Sequence, residues 1–316
     1  SVFDQSLKRL AAKNYKKSRK VPNRSGVAEA LFSLSRSIQP QNPHQAIIFN
    51  RLAIFVDPEF TFAKLRLADE LNRNSNMRRA LKLYKSILKD PEYSWTARLR
   101  IARTYNFLEK IDDAAKVLKT MAKEKKNRID ALVTLGSIYR SRMRYEEAVD
   151  AFEEAKKRIK NWEIQHWRLL YGNAASLERL NKWPAAEKDF LKALELNPNE
   201  PTILNYLGYS WVEKGKNLNR ARKMIENAVK QRPRAAYIVD SLGWVQYQMG
   251  DLKGAVKNLE RAVLLTPADP TINDHLGDIY WKVGRKLEAR YQWQRALSLD
   301  PEKYQIPLIK KKIKNG

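Results

Sequence analysis

The sequence predicts an all-α chain, a right-handed α-solenoid superhelix of about eight helix-turn-helix repeats. Three observations predict it. Segments that end alike close on Pro198, Pro233, Pro267 and Pro301, spaced by 35, 34 and 34 residues. Between those prolines a Leu-Gly pair recurs in the first half of each stretch and an alanine in the second. The composition agrees: only 11 Gly and 13 Pro in 316 residues, with 30% charged and 43% hydrophobic, suits helices far better than strands and turns.

Residues 1–26 read as a basic amphipathic helix, Leu7-Lys8-Arg9-Leu10 through Lys16-Lys17, ending in the turn Arg19-Lys20-Val21-Pro22. Such a piece fits the second helix of a truncated upstream repeat. The array then spans 27–303, with repeats at about 27–60, 61–94, 95–128, 129–166, 167–200, 201–235, 236–269 and 270–303. The first three are degenerate: Leu34 stands where Gly or Ala is usual, and Met121 replaces a late alanine. The fourth stretches to 38 residues through Lys160-Asn161-Trp162-Glu163, and the sixth has one extra residue near Gly215-Lys216-Asn217. Loops tolerate such insertions without functional meaning. Residues 304–316 hold three consecutive lysines and read as a basic solvating end helix, since a terminal repeat needs a polar outer face.

Packing explains the pattern. The pairs Leu135-Gly136, Leu207-Gly208, Leu242-Gly243 and Leu276-Gly277 put glycine at the eighth repeat position, where a large side chain would hold two helices apart. Ala114, Ala148, Ala186, Ala221, Ala255 and Ala289 fill the same crossing from the second helix. Leu118, Phe152, Phe190, Leu259 and Trp293 follow four positions later as the ridges that sit in neighbouring grooves. The closing proline ends each second helix. In period and in these positions the chain resembles the tetratricopeptide repeat (TPR), which implies a stacked superhelix whose first helices line an inner groove for protein partners.

The balance of 61 Lys+Arg against 35 Asp+Glu leaves a net charge of +26, which attracts acidic or disordered peptides, polyanions and anionic lipid surfaces. The chain has no cysteine, hence no disulfide, thiolate metal site or cysteine nucleophile. No run approaches the roughly 20 apolar residues of a membrane span. The three histidines, His44, His166 and His275, lack a neighbour at metal-ligand spacing, and there is no glycine-rich phosphate loop. Pairs such as Glu146-Glu147 read as solvated helix surface. The expectation is therefore no enzyme, no metal and no cofactor. The chain opens on Ser1 rather than Met, which implies an upstream segment removed, by signal cleavage or by shortening.

Positions 2, 5, 9, 12 and 13 of the first helices point into the groove by the 3.6-residue period. Repeats 2 to 4 supply Arg66, Arg73, Arg100, Arg103 and Arg140. Repeats 5 to 7 supply Tyr171, Tyr206, Tyr209, Tyr237, Trp244 and Tyr247, and Asn205, Asp240 and Asp274 lie among them. A basic half and an aromatic half predict a partner segment that is anionic at one end and apolar or aromatic at the other. The carboxylate clamp of chaperone-tail binders is not complete here. Leu170-Tyr171-Gly172-Asn173 resembles its middle repeat, but Val133 and Ser137 stand where Lys and Asn are needed.

Three blocks resemble the C-terminal half of TPR proteins of alphaproteobacteria, often made with an export signal. They are Leu204-Asn205-Tyr206-Leu207-Gly208-Tyr209-Ser210-Trp211-Val212, Tyr237-Ile238-Val239-Asp240-Ser241-Leu242-Gly243-Trp244 and Ile272-Asn273-Asp274-His275-Leu276-Gly277-Asp278-Ile279-Tyr280-Trp281, joined by Arg285-Lys286-Leu287-Glu288-Ala289-Arg290. Over about 160–303 this resemblance implies further upstream repeats and a periplasmic or envelope-associated location, with the cytoplasm as the alternative. The function expected is a non-catalytic scaffold or adaptor that grips a partner in the groove. The alternative is RNA or other nucleic acid on the basic and aromatic surface, by stacking and phosphate contact. A third reading is peripheral contact of residues 8–24 with anionic membrane.

Overall fold

The computed structural model describes residues 23–315, and within them the chain is helical, with seventeen α-helices, one 3-10 turn and no strand. The all-α fold class read from the repeats is what the structure contains. The expected helix within 1–22 lies outside the described residues.

Helices pack as consecutive pairs in two compact units, one through Arg158 and one from Ile159. The first unit holds α1 (Asn23–Ile38) with α2 (Pro43–Val56), α3 (Thr61–Arg73) with α4 (Met77–Ser86), α5 (Ser94–Phe107) with α6 (Ile111–Glu124), and α7 (Asp130–Ser141) with α8 (Tyr145–Lys157). In the second, the 3-10 turn Ile164–His166 leads into α9 (Trp167–Arg179) with α10 (Trp183–Leu196) and α11 (Pro201–Glu213) with α12 (Leu218–Gln231). There follow α13 (Ala236–Gln248) with α14 (Leu252–Leu265), α15 (Pro270–Lys282) with α16 (Lys286–Ser298), and a last helix, α17 (Gln305–Asn315), on α16.

In six of the eight pairs the turn is closed by one residue in the left-handed region, Ser75, Glu109, Met143, Asn181, Gly250 or Gly284, and the α11–α12 turn holds two, Gly215 and Asn217. The next amide bonds back to the final helical turn, as in Asn76 N–H to Leu71 O at 2.8 Å and Lys110 N–H to Tyr105 O at 2.9 Å. This satisfies carbonyls that the helix end leaves open. Two first helices, α11 and α15, begin at a proline behind a side-chain cap. Asp269 accepts from the amides of Thr271 and Ile272 ahead of Pro270, and Glu200 accepts from Thr202.

Within a pair, glycine sets the crossing. A Cβ on Gly136 would sit 2.7 Å from the Phe152 ring, and one on Gly243 would sit 2.7 Å from Leu259. Phe152, Phe190 and Leu259 are fully buried, each burial contributing about 1.5–3 kcal/mol. The first repeat differs from expectation by one residue. Leu34 is 43% exposed, and the small residue at the crossing is Ser35, buried with its hydroxyl donating to Ala46 O at 2.7 Å.

Arginines staple neighbouring repeats in the first unit. Arg142 Nε donates to Asn106 Oδ1 at 2.9 Å, and Arg158 Nη1 to Ala122 O at 2.9 Å. In the second unit the core of α14, α15 and α16 gathers Leu259, Leu276, Ile279 and Trp293, and α17 adds the buried Ile309.

Candidate functional site

In the first unit the arginines expected to face a partner are largely engaged with the chain itself. Arg100 Nε lies 3.0 Å from Asp69 Oδ1, which also accepts from Tyr84 Oη at 2.7 Å. Burial, then Asp69, raises the Tyr84 phenol well above its ordinary range. Arg73 pairs with Glu70, and Arg66 donates to Gln39, whose own amide donates to Glu70 at 2.7 Å. Arg103 on α5 faces solvent, and Arg140 is half-buried on α7. The basic half is therefore a set of ion pairs and amide bonds with cationic rims, not a row of free guanidinium groups.

The aromatic half divides in two. Tyr171 and Tyr206 meet edge-on at 5.6 Å, and Tyr206 lies 5.2 Å from Phe190, so they knit repeat 5 to repeat 6. Asn205 and Asp240 are buried, at 8% and 5% exposure. These four were expected to contact a partner; Tyr171 and Tyr206 are half-buried and Asn205 and Asp240 buried. Tyr237, at 49% exposure, remains on the surface of α13.

Tyr209, Trp244, Tyr247 and Asp274 do converge, lining a concavity of about 730 Å³. They are joined there by Glu213, Asp278 and Trp281 from the same first helices, and by Tyr304 and Lys312 from the C-terminal segment that carries α17. Counted from the helix starts, Tyr209 and Glu213 are positions 9 and 13 of α11, and Trp244 and Tyr247 are positions 9 and 12 of α13. Asp274, Asp278 and Trp281 are positions 5, 9 and 12 of α15. The groove-facing positions of the repeat would thus have found Glu213, Asp278 and Trp281 as well.

The walls are fixed by short polar contacts. Trp244 Nε1 donates to Glu213 Oε1 at 2.6 Å, with the Tyr209 phenol in the same lining. Burial, then Glu213 and Asp240, pushes the Tyr209 phenol far above its usual range. Trp244 stacks on the His275 imidazole, with centroids 4.1 Å apart and planes 18° from parallel. His275 is buried with Nδ1 2.9 Å from Asp240 Oδ1. Lys312 Nζ bridges Asp274 at 2.8 Å and Asp278 at 2.7 Å, and Trp293 Nε1 donates to Asp278 at 3.0 Å. Burial, then Asp278, raises the Asp274 carboxyl above the usual carboxylate range, with Lys312 opposing. Helix α17, expected to be a solvating end, therefore also forms a wall of this concavity. Among the described residues no group of three or more His, Asp or Glu is arranged to hold a metal ion.

Sequence models described as tetratricopeptide or TPR repeat match residues 129–161, 171–218 and 243–284. A TPR repeat-containing protein of Pseudomonas aeruginosa is 31% identical over 110 residues. That match takes in 35% of this chain and 18% of the relative, so the chain spans under a fifth of that protein's length. Among solved structures, a chain of the APC/C hetero-tetramer Cut9–Hcn1 superposes with a TM-score of 0.64 at 16% identity, covering 98% of this chain and 59% of that one. A tetratricopeptide repeat protein from Parabacteroides merdae gives 0.60 at 16% identity, covering 80% of this chain and 97% of that one. At such identities the likeness is one of fold.

Proposed function

This chain is a tetratricopeptide-repeat protein, and from that premise we propose that it is a non-catalytic scaffold that binds an extended or disordered protein segment on its first helices. One observation carries the reading. The concavity at Tyr209, Trp244 and Tyr247 places aromatic rings held by neighbours beside carboxylates, where a partner side chain is desolvated at low entropy cost. The cationic rims of the first unit, Arg103 foremost, would meet acidic residues of a partner.

Nucleic acid is the alternative that a charge of +26 invites. Against it, the Trp244 ring, the stacking surface a base would need, is held by the carboxylate of Glu213, which repels phosphate. A location in the bacterial envelope is part of the proposal and rests on the resemblance of residues 160–303; fractionation of the source organism tests it. No helix among the described residues is long and apolar enough to cross a membrane.

The test is affinity capture from extracts of the source organism, with and without nuclease. A discrete protein that survives nuclease, and binds Trp244→Ala about tenfold or more weakly, is the expected result. Recovery of nucleic acid, with proteins vanishing after nuclease, would replace this reading by the alternative.

A further inference from the structure

Several times in this chain an aromatic hydrogen-bond donor, a carboxylate and a cation form one unit. Trp95 Nε1 donates to Asp130 Oδ2 at 2.8 Å, while Arg128 pairs with Asp130 at 2.5 Å and lies 4.4 Å from the centre of the Trp95 ring. Tyr280 Oη donates to Glu260 Oε1 at 2.7 Å, while Arg285 pairs with Glu260 at 2.9 Å and lies 3.8 Å over the Tyr280 ring. The physical logic is shared: a neutral donor orients the carboxylate without cancelling its charge, and the guanidinium takes both that charge and the ring face.

The concavity holds the same arrangement without its third member. Glu213 accepts from the neutral Trp244 Nε1 beside the Tyr209 phenol in the same lining, and among the described residues no cation pairs with it. It is exposed at the end of α11. A carboxylate offers about four acceptor directions, so one directed donor leaves room for more. Tyr304, at 59% exposure, adds a further ring to the same concavity. On the α15 wall Lys312 already supplies the cation to Asp274 and Asp278. The lining sets Glu213, Asp274 and Asp278 against Lys311 and Lys312, and with Lys312 on the two aspartates the carboxylate left without a paired cation is Glu213.

We propose that the concavity at Glu213, Trp244 and Tyr209 is a receptor for a basic side chain, an arginine in first place, carried by the partner segment. The guanidinium forms charge-assisted hydrogen bonds to Glu213 and lies over the Trp244 and Tyr209 rings, completing the unit found intact at Asp130 and Glu260. This deepens the scaffold reading of the first-helix face and rests on it. The partner so defined carries acidic residues for the first unit and at least one arginine for the second.

The experiment follows the Trp indole N–H resonances of the full 15N-labelled chain, with Trp244 assigned by Trp244→Phe. N-acetyl-arginine amide, its lysine counterpart and its glutamate counterpart are titrated in turn. The arginine compound shifts the Trp244 resonance saturably, the lysine compound binds more weakly, and the glutamate compound leaves it in place. Glu213→Gln, an exposed and isosteric change, lowers the arginine affinity about fivefold or more. An absent shift with arginine, unchanged affinity in Glu213→Gln, or a stronger response to a dinucleotide than to arginine would overturn the proposal. Partner capture by Glu213→Gln separates the two ideas. If the variant captures the nuclease-resistant partner as tightly as the parent, the face binds but the basic-residue chemistry is wrong.

Discussion

His275 shows how one side chain can be invisible in a sequence and plain in a structure. It stands one repeat, 35 residues, from Asp240, so no local spacing joins them, yet the two are in hydrogen-bond contact. Burial disfavours the imidazolium, but Asp240, then Asp274 and Asp278, outweigh it and raise the His275 pKa above its ordinary value. The sign of the linkage follows. Because the folded value is the higher one, the stability from protonating His275 is fully present below the unfolded pKa of roughly 6.5 and is lost as pH rises through the folded value. The titration midpoint of the His275 ring, read by NMR, is expected above 6.5, and His275→Gln should flatten the fall in stability as pH rises above about 6.5. A midpoint below the ordinary value would mean that burial wins over the carboxylates. The candidate residues divide for the same reason. Repeat position put Tyr209, Trp244, Tyr247 and Asp274 on the groove face together with ten other residues, and it is the structure that gathers these four in one concavity. That Asp240 and Asn205 are buried depends on the neighbouring repeat, which position does not encode.

Element by element, the strong repeats were legible and the weak ones less so. The Leu-Gly pairs mark real helix crossings because Phe152, Leu259 and Trp293 leave no room for a side chain. In the first repeat that mark is missing, and the crossing residue is Ser35, one position beyond the expected one. Helix α17 was legible as a helix but not in its role. Its lysine run signals solvent, while Ile309 is fully buried in the last core cluster and Lys312 bridges two aspartates. Its docking energy is a prediction. Ile309→Ala should cost about 2–4 kcal/mol by urea denaturation, because it removes buried methylenes next to Leu276 and Trp293. A loss within about 0.5 kcal/mol, typical of exposed substitutions, would show that α17 is a loosely attached tail.

For the whole molecule, the repeat period, the pairing of helices and the family were all readable before any coordinates, because repeat stability is a sum of nearest-neighbour contacts that recur in sequence. The chemistry of the face was readable only in part. Counting charges gives +26 and points to anionic partners, whereas the concavity of the second unit carries an unpaired carboxylate and, in the first unit, Arg100 and Arg66 already bond groups of their own chain. Net charge is a global sum, and binding is decided by which charges lack an internal partner. The central claim is that the first helices, and not the outer second helices, meet a protein. The most direct measurement places a photo-crosslinking amino acid at Tyr237 on α13 and, in a separate chain, at the exposed Lys257 on α14. Illumination in extract should give a discrete, nuclease-resistant protein adduct from position 237 and none from 257. Equal adducts from both positions, or adducts to nucleic acid from 237, would contradict the account.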